Sequence, residues 1–397
     1  MHLKRFLLFL LLLPFAAYSQ TVTISGKVTT PSSHEGIPKV SVFLSNSSYG
    51  TVTGEDGSFK LVGVKPGQYD LVASSIGYQD FSKTILVGNE SITVDIPLAS
   101  KVNQLRGVVI TTNANWKKNW EEFKKAFIGT TENAKYCVVE NPHVVNMVNS
   151  TRRHTLEAWS DDFLIMDNRA LGYRVKFLID TFSNNGLTGI ISWQGKAVFE
   201  ELPGSPEQKK VWKLKRQETY YGSSRDFYKS LYTGKLTEEG FIVRRLHREL
   251  NPERPQESVI WQKIKYFREI HPNRDSANYW IGKENLSKYF HESLSTVPLE
   301  PYQLFAKTNR EGLFVISFTE CLYVIYTKRR EETDFKDLYR PLDMPNYEIS
   351  VLTLSEPYAV FDMNGVVFNG APLNEGTWSK AKLAELLPYD YSPEMDK

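Results

Sequence analysis

The sequence predicts a mainly β protein: an N-terminal seven-stranded-type β-sandwich followed by a larger β-rich region with a few short helices. Three observations carry this reading. Short β-runs punctuated by turn residues fill 20–100, strand-like runs resume at Arg153, and helical spacing surfaces in only a few segments. Strands of that length and spacing signal antiparallel sheets.

The first residues read as an export signal. Lys4 and Arg5 precede an apolar run from Phe6 to Leu13, then Pro14 and the small residues Ala16, Ala17 and Ser19. A run this short does not span a bilayer, and the small residues place cleavage before Gln20, so 1–19 is expected to be a signal peptide. No cysteine follows the run, so a lipid anchor is not indicated, and no later segment reaches ~18 consecutive apolar residues. The mature chain is therefore expected to lack a transmembrane segment. Without Lys4 and Arg5 the 48 basic residues fall to 46 and match the 46 acidic ones, which argues against a nucleic-acid partner.

In 20–100 the runs Val22–Ile24, Lys27–Thr29, Val40–Leu44, Phe59–Val62, Tyr69–Ser74 and Ser91–Leu98 supply strands. Gly54-Glu55-Asp56-Gly57 and Pro66-Gly67 supply the positive-φ positions and fixed corner of tight reversals. The blocks Ile24-Ser25-Gly26-Lys27-Val28, Gly36-Ile37-Pro38-Lys39-Val40-Ser41-Val42, Thr51–Phe59, Val64–Tyr69 and Ile76-Gly77-Tyr78 resemble the carboxypeptidase-regulatory-like family, a transthyretin-like β-sandwich. Gly54 stands where that family often has an acidic residue, while Asp56-Gly57-Ser58-Phe59 is intact. The resemblance covers about a fifth of the chain and implies an accessory module without catalytic residues, of the kind found in envelope proteins of diderm bacteria, TonB-dependent receptors among them. Leu105–Thr112 also resembles the short β-segment that follows this module in those receptors, but the remaining chain is too short for a plug and a large barrel. Residues 101–114 are therefore read as a linker or edge strand.

The β-rich region is expected over 115–397. Trp116, Trp120, Phe123 and Phe127 are spaced four, three and four apart, one stripe of a helix from Trp116 to about Ile128, capped near Asn115 and ended by Gly129. Lysines and glutamates share its polar face, which favours docking on the protein over a membrane surface. Strand-like runs follow at Arg153–Trp159, Phe163–Met166, Gly172–Phe182, Leu187–Glu201, Phe241–Leu246, Gly312–Thr327, Tyr347–Leu354 and Ala359–Phe368. Asn184-Asn185-Gly186 marks a hairpin of the type I′ kind. Short helices are expected at Ser224–Tyr232, ended by Gly234, and at Trp378–Leu387, stopped by Pro388. The locally basic window 207–275 reads as a solvated face, and part of Asn251–Asn278, with three prolines, as an exposed loop. Phe127–Ala134, Ala170–Tyr173 and Leu387–Tyr391 resemble the C-terminal part of envelope proteins that carry the regulatory-like module, a resemblance that implies no known activity.

Chemical motifs are sparse. His154-Thr155-Leu156-Glu157 has the His-x-x-Glu spacing of the first two zinc ligands of metallocarboxypeptidases, but a strand sends positions three apart to opposite faces. His247, His271 and His291 fall in no pattern that would complete a zinc site. The zinc-protease His-Glu-x-x-His, Gly-x-Ser-x-Gly and P-loop motifs do not occur. Asp161-Asp162 reads as a solvated turn and Asp56 as a turn residue. Cys137 and Cys321 either pair or pack as two separate thiols, a choice spacing alone does not make. Among eight tryptophans, Trp159, Trp193, Trp212, Trp261 and Trp280 lie in β-runs and loops, where most serve a core and an exposed ring would grip a sugar or a protein. No catalytic, cofactor-binding or metal-ligating residue is assigned. The expectation is an exported, periplasmic or outer-membrane-associated, non-enzymatic protein that meets a protein or polymer partner, with glycan binding or metal-dependent hydrolysis as the rivals.

Overall fold

The computed structural model describes residues 22–101, 113–150, 153–331 and 344–396. The expected signal peptide and most of the expected linker lie outside the described residues. The helix that follows starts at Asn113, two residues earlier than the expected domain boundary.

Residues 22–97 form a sandwich of two four-stranded sheets, one strand more than the seven-stranded type. In one sheet Val22–Thr29 pairs antiparallel with Ser58–Val64 and parallel with Ile92–Thr93 and Ile96–Pro97. In the other, Gly50–Val52, Ser41–Leu44, Gly67–Ser74 and Phe81–Val87 run antiparallel in that order. Period-two alternation delivers Val22, Ile24, Val28, Val42, Leu44, Phe59, Leu61, Tyr69 and Leu71 to one core. Gly57 takes φ +78°, and a Cβ there would stand 2.4 Å from the Val28 carbonyl, so the Asp56-Gly57 turn requires glycine.

The next unit is a six-stranded antiparallel sheet of Val145–Ser150, Thr155–Ser160, Leu164–Asn168, Tyr173–Asn185, Cys137–Val139 and Ile191–Glu201. The long strand Tyr173–Asn185 is its spine, paired along its length with Ile191–Glu201. The aromatic stripe read from the sequence lies on this sheet: Phe123 and Phe127 are fully buried, and their rings meet Phe182, with Phe127 also against Phe177 and Trp193. The hairpin after Asn185 differs from the type I′ expectation. Gly186 to Ile190 form a five-residue loop in which the Asn185 carboxamide oxygen accepts from Leu187 and Thr188 N–H, and Gly189, not Gly186, takes positive φ.

The last unit joins a five-stranded sheet (Tyr289–Leu294, Phe241–Leu250, Cys321–Arg330, Tyr347–Thr353, Leu373–Gly376) to a four-stranded one (Phe305–Lys307, Leu313–Ile316, Ala359–Asp362, Val367–Asn369). The expected run Gly312–Thr327 is thus two strands in two sheets, broken at Glu320, whose φ is +66°. Cys321–Arg330 is buried on both faces: Leu322, Val324 and Tyr326 enter a core shared with Phe314, Ile316 and Phe361, while Tyr323 and Ile325 pack with Ile349 and Val351. Helix Ser224–Thr233 caps the shared core with Phe227, Tyr228 and Leu231, ending at Gly234 in the left-handed conformation as the sequence predicts.

The remaining helical segments refine two readings and correct a third. Pro206–Tyr220, inside the window read as a solvated face, is a helix with Ser205 in a capping box, and it buries Trp212, Arg216 and Tyr220. The segment read partly as an exposed loop contains Glu257–Lys265, a π-turn over Tyr266–Ile270 and the start of Arg274–Glu284, capped by the Asn273 side chain. The expected helix Trp378–Leu387 is one turn at Thr377–Lys380 and a 3-10 turn at Leu383–Glu385, separated by extended backbone at Ala381.

Candidate functional site

The sandwich, the six-stranded sheet and helix Ser224–Thr233 meet at one junction, and the C-terminal segment from Leu383 to Tyr391 runs through it. Leu383, Ala384, Leu387 and Tyr391 belong to the core of the six-stranded sheet. Glu385 accepts from Thr131 Oγ1 and from Asn133 Nδ2, the latter at 2.8 Å. Further on, the Tyr389 N–H donates to the Asn46 carbonyl at 2.7 Å. Asp390 receives the Ser48 N–H at 2.8 Å and the Ser48 hydroxyl at 2.5 Å, while Lys65 Nζ donates to the Asp390 carbonyl at 3.0 Å. Burial lowers the Lys65 pKa, an effect that the Asp390 charge opposes.

Arg225 fixes the segment from the other side. Its guanidinium donates to the carbonyls of Leu387 (3.3 Å), Pro388 (2.8 Å), Tyr389 (2.9 Å) and Tyr391 (3.1 Å). Only the planar fork of an arginine reaches so many acceptors at once. Gly365 closes the same spot: at φ +74°, a Cβ there would lie 2.1 Å from the Arg225 carbonyl. Its neighbour Asn364 donates to the Pro66 carbonyl of the sandwich at 3.2 Å. Direct contacts complete the junction, with Asn46 N–H on the Ala197 carbonyl at 2.6 Å, Phe199 N–H on the Ser47 carbonyl at 2.9 Å, and Phe43, Val72, Phe163 and Val198 in a small apolar cluster.

Under the segment lies a cavity of about 140 Å³, walled by Phe199, Tyr220, Trp378, Leu386 and Leu387 with Arg225 at its margin. It is smaller than ordinary small-molecule sites of ~300–1,000 Å³. Asp226, at the start of the same helix, is 4 % exposed and accepts from Gly222 N–H at 2.9 Å. Burial pushes its carboxyl up to about 6, with the Gly222 hydrogen bond pulling the other way. A carboxyl with a raised folded pKa contributes stability below its unfolded value, ~3.9, that is lost as pH rises through the folded one. Asp226→Asn keeps an oxygen for Gly222 and removes the charge. It should flatten the loss of stability between pH 4 and 7 and leave the variant about 2 kcal/mol more stable at pH 8, read from urea midpoints at both ends.

The residues singled out in the sequence are scattered elsewhere. His154 sits in a turn at φ +52°, just before the strand Thr155–Ser160, with its ring against Trp261 at a centroid distance of 3.8 Å. Glu157 pairs with Arg153 at 3.1 Å, so the His-x-x-Glu spacing gathers nothing. His247 stands between Glu320 (2.7 Å) and Glu249 (3.0 Å), which raise its pKa, Glu249 more strongly. Among the described residues no three His, Cys, Asp or Glu side chains are grouped to hold a metal. Cys137 and Cys321 are free thiols in different sheets, and burial pushes Cys137 up to about 12. Asp56 accepts from Ser58 N–H and hydroxyl, which hold it down at about 2, and Asp161 pairs with Lys101 at 3.4 Å. Trp212 is buried and donates to the Arg169 carbonyl; Trp193 lies under Lys382; Trp159, Trp261 and Trp280 are half-buried. Strongly exposed rings belong to other residues, among them Tyr136 (58 %), Tyr279 (59 %) in the helical arm 257–284, Phe290 (74 %) in the strand that follows it in the chain, and Tyr302 (78 %). No helix among the described residues is long and apolar enough to cross a membrane.

Residues 24–110 match the model of the CarboxypepD_reg-like domain. No match is found among curated proteins. Among solved structures, the group B streptococcus pilus 2b backbone protein is similar at 18% identity, over 20% of this chain and 42% of that one, with a TM-score of 0.19. A DUF3823 family protein from Parabacteroides merdae aligns at 12% identity over 49% of this chain and 86% of its own, with a TM-score of 0.18. A type II cohesin–X-dockerin complex from Acetivibrio cellulolyticus aligns at 17% identity over 28% and 76%, with a TM-score of 0.20.

Proposed function

We propose that this chain, whose residues 24–110 match the carboxypeptidase-regulatory-like domain, is an exported, non-enzymatic envelope protein. In this reading the sandwich is a docking brace, and the β-rich region that follows it binds a protein or polymer partner. The observation that carries the proposal is how the junction spends its polar groups. Arg225 is committed to backbone carbonyls, Asp390 to Ser48, Glu385 to Thr131 and Asn133, and Asp226 to Gly222. Such groups hold chain segments together, whereas catalysis needs a nucleophile within reach of a base. A glycan is the second reading of the partner, favoured by the exposed Tyr279, Phe290 and Tyr302, whose rings offer flat apolar faces.

Photo-crosslinkers at Tyr279 and Phe290 in intact cells should trap one dominant partner, while one at Lys60, exposed on the sandwich sheet that does not carry Phe43 and Val72, should not. Saturable binding of purified protein to a polysaccharide, abolished by Tyr279→Ala with Phe290→Ala, would identify that partner as a glycan. Turnover of peptides or glycosides with kcat/KM of about 10⁴ M⁻¹s⁻¹ or more would overturn the proposal, and stoichiometric zinc with activity lost in His154→Ala would establish the hydrolase instead.

A further inference from the structure

The sandwich is held by three kinds of contact that differ in extent, the slightest being isolated polar ties: Asn364 to the Pro66 carbonyl at 3.2 Å, Gln68 N–H to Asp362 at 3.4 Å and the exposed Lys101–Asp161 pair at 3.4 Å. Its direct contact with strand Ile191–Glu201 consists of two backbone hydrogen bonds and the small cluster of Phe43, Val72, Phe163 and Val198. That cluster is far smaller than the sandwich core or the core of the six-stranded sheet. The second kind comes from Tyr389 and Asp390, which grip Asn46, Ser48 and Lys65 of the sandwich. Tyr389 and Asp390 are themselves anchored at both flanks. Leu387 and Tyr391 enter the sheet core, Ala384 N–H donates to the Ile128 carbonyl at 3.1 Å, and Arg225 clamps the carbonyls in between.

From this we infer that segment Leu383–Tyr391 is a latch that sets whether the sandwich is docked. With the latch engaged the sandwich is fixed to the body. When the latch lets go, the sandwich parts from Ile191–Glu201 as a folded unit, because its core is closed apart from the Tyr389 ring packed against it, and the direct contact and the isolated polar ties are too small to hold it. Asp390 is the grip: one carboxylate takes both donors of Ser48, and these are charge-assisted hydrogen bonds, stronger than the neutral ones around them.

The experiment uses the full chain and amide hydrogen exchange read by mass spectrometry, with Asp390→Ala, Ser48→Ala and Asp390→Asn. The Asn46 and Phe199 amides, which donate across the direct contact, report docking. Asp390→Ala should speed exchange at both by tenfold or more, together, while strand Gly67–Ser74 inside the sandwich and strand Tyr173–Asn185 in the body keep their protection. Ser48→Ala should give a smaller joint rise, and Asp390→Asn, which keeps one oxygen for the Ser48 N–H and turns an amide nitrogen to the Ser48 hydroxyl in place of a charged acceptor, should also rise less than Asp390→Ala. Faster exchange confined to Ser48, with Asn46 and Phe199 unchanged in every variant, would show that the segment does not govern docking. Loss of protection throughout the sandwich in Ser48→Ala would equally overturn the latch, since the sandwich would then not survive release as a unit.

Discussion

Replacing Arg225 by alanine is expected to destabilise the protein by about 3–5 kcal/mol, the scale of removing a charged partner from a packed polar network. Four carbonyls lose their donor at once, those of Leu387, Pro388, Tyr389 and Tyr391. Leu387 and Tyr391 are buried, so water replaces the guanidinium poorly. Arg225→Lys should recover little of the loss, because one ammonium on a flexible stem does not span the set. The measurement is a urea unfolding series on all three proteins, with limited proteolysis alongside. The alanine variant should be cut first beyond Lys380, before any strand of the sheets is attacked.

Phe127→Ala is expected to cost a similar 3–5 kcal/mol, through a cavity at the centre of an aromatic cluster. Phe127 is fully buried, and its ring meets those of Phe123, Phe177, Phe182 and Trp193. The helix Asn113–Phe127 has Lys and Glu over its outer face, so this stripe is what holds it to the sheet. Far-ultraviolet circular dichroism should show loss of helix at denaturant concentrations where the strands persist. Phe127→Leu, which refills most of the volume, should cost clearly less. Equal losses in the two variants would mean that the helix is held elsewhere.

The two sites differ in how visible they are in the sequence. Phe127 belongs to a stripe of aromatic residues at helical spacing, and its neighbours on the sheet are apolar alternations, so side-chain chemistry alone announces the contact. The sandwich was legible for the same reason: Val22, Ile24 and Val28 alternate, and Asp56-Gly57 and Pro66-Gly67 mark reversals whose dihedral needs exclude most other residues. Helix Pro206–Tyr220 escaped because its buried stripe runs through Arg216, whose guanidinium lies over the Tyr173 ring at 4.0 Å and donates to the Leu171 and Gly172 carbonyls. Hydrophobic periodicity scores such a position as solvent. The junction was hidden more deeply, since Arg225 binds backbone oxygens that every residue possesses, and Leu387-Pro388 read as a helix stop in a segment whose resemblance implied no activity. Asp390 and Ser48 lie far apart in sequence, and nothing in either neighbourhood points to the other.

Carbodiimide cross-linking of the unmodified protein tests the docked sandwich most directly, because it joins amines to carboxylates only where they already touch. Lys101 and Asp161 stand 3.4 Å apart with both side chains exposed, and they bridge the end of the sandwich to the six-stranded sheet; Lys27 and Asp56, at 3.5 Å, provide a reference pair inside the sandwich. A docked brace predicts both links in comparable yield at micromolar protein. Recovery of Lys27–Asp56 without Lys101–Asp161 would show a sandwich that swings free of the body, and would contradict the account.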